Sequence, residues 1–128
     1  MIIIENEMGK IELPKSVIGS IVIDVVESFD GKVILSDSKG RVHKLAYKLG
    51  AMEEANNIEI EGGENGMDMR VYVILRFGVS IKETTNQLIN EIKSAVKEES
   101  GITIDNISIV IKGMMSKKIA PRNIEVTG

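Results

Sequence analysis

The sequence predicts a small single-domain α+β (mixed α/β) protein: a mixed sheet with amphipathic helices packed on it, including a β-hairpin followed by a β-α-β crossover. Three observations carry this reading. Residues 69–77 alternate apolar Met69, Val71, Val73, Leu75 and Phe77 with Arg70, Tyr72, Ile74 and Arg76, the period of two expected of a strand with one buried face. Ile81, Leu88, Ile89, Ile92, Ala95 and Val96 then share one face of a helix, with Lys82, Gln87, Asn90, Glu91, Lys97 and Glu98 on the remainder. Finally Ile107, Ile109 and Ile111 alternate with Ser108, Val110 and Lys112, so the chain returns as a strand after a connection long enough for parallel pairing.

Taken in chain order, Gly9-Lys10-Ile11-Glu12-Leu13 reads as a short strand. Pro14 suits the first residue of a helix, where its missing N–H costs nothing. Val17, Ile18, Ile21, Val22, Val25, Val26 and Phe29 follow at three- and four-residue steps opposite Ser16, Ser20, Asp24, Glu27 and Ser28. The stripe is rich in β-branched residues, but its length favours a helix over a strand. A short strand follows at residues 31–35. Residues 37–50 admit two readings. Val42, Leu45, Ala46 and Leu49 have helical spacing ending at Gly50, which is the favoured one; alternatively Asp37-Ser38-Lys39-Gly40 is a turn joining strands at 32–35 and 41–45.

Ile58 and Ile60 alternate with Glu59 and Glu61, and Gly62-Gly63-Glu64-Asn65-Gly66 is a hairpin turn, so this strand should pair antiparallel with the long one after it. Gly78 ends that long strand. Ser80-Ile81-Lys82-Glu83 has capping-box spacing, and Gly101 can supply the left-handed residue that stops the helix. The expected domain covers residues 1–113. Residues 114–128 form a basic tail in which Ile124 and Val126 can add an edge strand.

At 128 residues the chain is one domain, long enough for a real core. Its apolar share of 43% supports folding, and with Phe29, Phe77, Tyr47 and Tyr72 as its aromatics the core must be built from Ile, Val, Leu and Met. The absence of cysteine removes disulfides and thiolate metal sites and fits a reducing compartment, with the cytoplasm as the default. No apolar run reaches the roughly 20 residues needed to span a bilayer. The opening Met1-Ile2-Ile3-Ile4 meets Glu5 and Glu7 instead of a basic region, so neither a signal peptide nor an anchor is expected. The net charge of -3 is polarised: Glu53, Glu54, Glu59, Glu61, Glu64 and Asp68 crowd the middle, and Lys112, Lys117, Lys118 and Arg122 the end.

Gly9-Lys10-Ile11-Glu12-Leu13-Pro14 with Val17-Ile18, then residues 72–78 ahead of the capped helix, then Gly101, the 107–111 strand and Gly113, resemble the alkaline shock protein family of Gram-positive envelope stress response proteins. The resemblance covers most of residues 9–113. It departs at residues 29–57, where that family has a Val-Gly-Val-like turn and a glycine-rich stretch, and at Asn106, which precedes the last strand instead of lying within it. What it implies is a small cytoplasmic α/β protein, without an established enzymatic site, that self-associates or docks on a membrane-anchored partner.

The residues themselves point the same way. His43 is the one histidine in the chain, which rules out a multi-histidine metal site, and beside Arg41 and Lys44 it reads as a surface residue with no role assigned. Glu59, Glu61, Glu64 and Asp68 offer oxygen ligands without the spacing of a calcium loop, so no metal or cofactor is expected. Gly63-Glu64-Asn65-Gly66 matches the GXXG clamp of KH domains, but it joins two strands and carries a carboxylate beside Glu61 and Asp68, which repels phosphate. A KH-like nucleic-acid-binding module would rest on the basic tail, with Lys117, Lys118 and Arg122 as the polyanion contact. The candidate partner surface is Arg70, Tyr72, Ile74 and Arg76, a mixed row of the composition enriched at interfaces. The competing reading has a second helix covering this face with the arginines at its rim. Met114, Met115 and Ile119 with the basic tail would make at most a weak peripheral membrane contact. The expected function is therefore a noncatalytic scaffold or adaptor, acting as a homo-oligomer that docks on a membrane-anchored protein.

Overall fold

The computed structural model describes residues 2–6, 9–42, 58–62, 66–116 and 119–128, with only the backbone course of residues 6 and 119–123. In chain order these form β1 (Ile2–Asn6), β2 (Gly9–Leu13), α1 (Lys15–Glu27), β3 (Val33–Leu35), β4 (Ile58–Gly62), β5 (Met67–Arg76), α2 (Ile81–Ser100), β6 (Ile104–Met115) and β7 (Ile119–Thr127). β1 and β2 pair antiparallel as a two-stranded ribbon, and the other strands make one mixed five-stranded sheet.

β5 is the axis of that sheet. β6 runs parallel along one of its edges, with α2 as the crossover, while β3 and β4 lie antiparallel and end to end along the other. β3 takes the register of Val73 to Leu75 and β4 that of Met67 to Val71, which leaves Tyr72 at the junction, its carbonyl accepting the Ser36 N–H at 2.9 Å. β7 closes the far side antiparallel to β6. The segment expected as a basic tail with a short edge strand thus continues the sheet over nine residues.

The core forms where the period-two stripe of the strands meets the helical stripes. Met67, Met69, Val71, Val73 and Leu75 of β5 and Ile107, Ile109 and Ile111 of β6 are buried with Ile18 and Val22 of α1 and Leu88, Ile92 and Val96 of α2. Each such side chain contributes about 1.5–3 kcal/mol on burial, which explains how a chain this poor in aromatics holds a core. The hairpin into β5 pairs antiparallel and the crossover to β6 parallel, both as the pattern predicted. α2 begins where expected: the Glu83 N–H donates to Ser80 Oγ at 3.2 Å. It ends at Gly101, whose φ of 76° is left-handed and whose N–H donates to the Lys97 carbonyl.

Four local expectations change. Phe77 does not join the buried face and is 66% exposed, because β5 ends at Arg76; the Phe77 N–H donates to the Met115 carbonyl and the chain turns through Gly78. Pro14 is the capping residue, with extended backbone, and Lys15 is the first helical residue. Residues 37–40 form a turn, and residues 41 and 42 after it are not in a strand. The Asp37 carboxylate accepts the N–H groups of Lys39 and Arg41 and the Arg41 Nε at 2.9–3.0 Å, satisfying backbone donors locally where a helix would need them. No helix starts before residue 43, and the rest of the 37–50 question lies outside the described residues. β1 drew no strand assignment, although Ile2 and Ile4 are buried and Ile3 between them exposed, a short alternation.

Candidate functional site: a polar ladder across the sheet

The face of the sheet away from α1 and α2 divides along its length. At one end Ile74 and Val110 are buried, and in the loop after β3 Gly40 lies against Lys112. At the other end the side chains are polar and exposed. Strand register sets them in rows: Glu59, Arg70, Ser108 and Thr127 form one line across β4, β5, β6 and β7, and Glu61, Asp68 and Asn106 the next. Tyr72 stands between the two ends.

The rows are cross-linked. The Tyr72 hydroxyl donates to Glu59 Oε1 at 2.7 Å. Arg70 lies between two carboxylates, its Nη1 3.4 Å from Glu125 Oε1 and its Nε 3.9 Å from Glu59 Oε2. Asn106 Nδ2 donates to Asp68 Oδ1 at 3.0 Å, and the Ser108 and Thr127 hydroxyls meet at 3.1 Å. A shallow depression opens between Glu59, Glu61, Asp68, Arg70, Asn106 and Ser108.

This arrangement holds Tyr72 and Arg70 in their resting protonation states. Burial pushes the Tyr72 hydroxyl up, and its bond to Glu59 adds to the rise. The Tyr72 hydroxyl and the Glu125 carboxylate beside it raise Arg70 in turn. Both groups are thereby moved further from neutral pH, the opposite of what proton transfer at pH 7 requires. What the ladder offers is a fixed pattern of donors and acceptors with an excess of carboxylates, suited to recognition.

Of the residues singled out in the sequence, Arg70 and Arg76 are exposed, Tyr72 is 7% exposed and Ile74 is fully buried. Arg70 and Tyr72 come together in the ladder; Arg76 lies at the far end of β5 and Ile74 beneath the surface. Lys117, Lys118 and His43 fall outside the described residues, as does the side chain of Arg122, which β7 carries. Glu59 and Glu125 escaped notice as partners of Arg70. Glu59 was recoverable, since the hairpin turn dictates its position opposite Arg70; Glu125 required the register of β7. Among the described residues no group of three or more His, Cys, Asp or Glu is placed to hold a metal ion, and no helix is long and apolar enough to cross a membrane.

Fold and face together define a small α+β protein with an exposed polar ladder across one end of its sheet. The chain belongs to the alkaline shock protein family, described as having a cell envelope-related function, whose pattern matches residues 3–116. It is 22% identical over 111 residues to the uncharacterized protein YqhY of Bacillus subtilis strain 168, covering 86% of this chain and 80% of that protein. Against the uncharacterized protein Spy1614 of Streptococcus pyogenes serotype M6 it is 21% identical over 111 residues, covering 87% and 92%. No solved structure matches.

Proposed function

We propose that this protein is a noncatalytic scaffold or adaptor of the cell envelope, which self-associates and docks on a membrane-anchored protein from the cytoplasmic side. The observation that carries the reading is the ladder: Arg70 and Tyr72 are held by Glu59 and Glu125 in a pattern that presents charge and hydrogen-bonding groups without a poised acid or base. The family's envelope-related function supports it. The carboxylates Glu59, Glu61, Asp68 and Glu125 outnumber Arg70 on this face, which favours a basic protein segment over a polyanion.

Docking is tested by sedimentation with native membranes. The wild-type chain is expected to co-sediment with them, to lose most of that binding as Glu61→Lys, which reverses an exposed carboxylate of the face, and to release from membranes stripped of protein by protease. Retention on stripped membranes, or binding indifferent to Glu61→Lys, would sink docking through this face. Self-association is tested by light scattering coupled to size exclusion at tens of micromolar, where a strictly monomeric chain counts against it.

A further inference from the structure

We propose that the outer edge of β2 pairs with the same edge of a second copy of this chain, antiparallel and twofold-symmetric about Ile11. This rests on the self-association reading and names its surface. Among the described residues β2 is paired on one side only, by β1, and a two-stranded ribbon is marginal by itself. Every second residue of β2 therefore turns its N–H and C=O toward an open edge. Lys10, Ile11 and Glu12 are all exposed, and Ile11 is 42% exposed although it shares a ribbon face with Ile4, which is buried.

The strand is complementary to itself. When two copies of Gly9–Leu13 run antiparallel about Ile11, Lys10 of each lies opposite Glu12 of the other, and the two Ile11 side chains cover one another. Lys10 Nζ and Glu12 Oε1 already pair at 2.9 Å within the strand, so the contact closes an alternating square of two cations and two carboxylates. Shifting the register by one residue in either direction loses both oppositions. The edge made by β7 is blunted: Pro121 has no N–H to give, and its pairing with β6 is irregular between Ile111 and Gly113. The product is a four-stranded ribbon, β1–β2 joined to β2–β1 of the second copy.

Charge exchange tests this on the full chain. Glu12→Lys sets lysine against lysine across the twofold axis, and Lys10→Glu sets glutamate against glutamate; each alone is expected to weaken self-association about tenfold in sedimentation velocity. Mixed together the two variants are complementary, and the mixture is expected to regain wild-type association. In a second arm, Ile11→Cys introduces the chain's sole cysteine. Directly opposed positions bring Cβ atoms within about 4.5–5.5 Å, so oxidation or a short thiol cross-linker should yield a covalent dimer. Ile3→Cys, at 45% exposure on the opposite ribbon face, should cross-link far more slowly. Wild-type association unaffected by either charge variant would overturn the β2 contact and leave self-association standing. A chain monomeric at every concentration, with Ile11→Cys cross-linking no faster than Ile3→Cys, would overturn both.

Discussion

Tyr72 occupies the junction where β3 gives way to β4, its ring buried and its hydroxyl turned out to Glu59. Tyr72→Phe keeps the packing and removes one hydrogen bond to a charged acceptor, for an expected loss of about 1.5–3 kcal/mol, toward the lower end because Glu59 is exposed. The pH dependence follows from the direction of the shift. A tyrosine raised above its ordinary value of 10.0 adds stability that is complete below that value and is lost as pH rises through the folded-state value. Urea midpoints measured from neutral pH to above pH 10 should fall less steeply for Tyr72→Phe than for the wild type. Equal alkaline slopes would show that Tyr72 titrates alike folded and unfolded. Gly62 and Gly66 are constrained differently: a Cβ on Gly62 would fall on the Ile3 carbonyl, and one on Gly66 on the Thr103 carbonyl. Alanine at either should cost about 1–3 kcal/mol by forcing backbone apart, read as a lowered urea midpoint at unchanged slope.

At the level of the elements, α2 was legible because its signals are local. Ser80, Glu83 and Gly101 act within one turn of each helix end, and the apolar stripe lies in a single run of sequence. Ser80→Ala should cost about 1 kcal/mol in a urea melt, and a change within error would mean that the Ser80–Glu83 bond contributes nothing net. α1 lacks a side-chain cap, and so its start was misplaced by one residue at Pro14. β1 and β7 are harder to read, since β1 spans five residues and β7 contains Pro121, a residue that sequence reasoning takes as evidence against a strand. Pro121 is tolerated because β7 lies at the sheet edge.

For the whole molecule, the sheet depends on contacts far apart in sequence. β5 is enclosed by partners on both sides, whereas β6 is completed by β7 alone on its outer side. Truncation after Ser116 should bare the outer edge of β6 beside Ile109 and Ile111. The expected result is loss of cooperative unfolding and concentration-dependent aggregation, seen by thermal melts and light scattering. A truncated chain that melts cooperatively and stays monodisperse would show β7 to be dispensable. Ile107→Ala, at a fully buried position under the helices, should cost about 2–5 kcal/mol by the same melts.

Sequence by itself determined the alternation of the long strands, the stripes and stops of the helices, the antiparallel hairpin into β5 and the parallel return into β6. These follow from the periods of strand and helix and from the length of a connection, all of which act over a few residues to a few tens. It also placed Arg70 and Tyr72 on the face away from the core. Tertiary structure alone decided that Ile74 on that same face is buried while Arg70 stays exposed, because alternation along a strand sorts side chains between two faces and does not say what packs on either. It alone brought Glu125 of the last strand to Arg70, since that meeting depends on the register of β7 against β6, which only the assembled sheet sets.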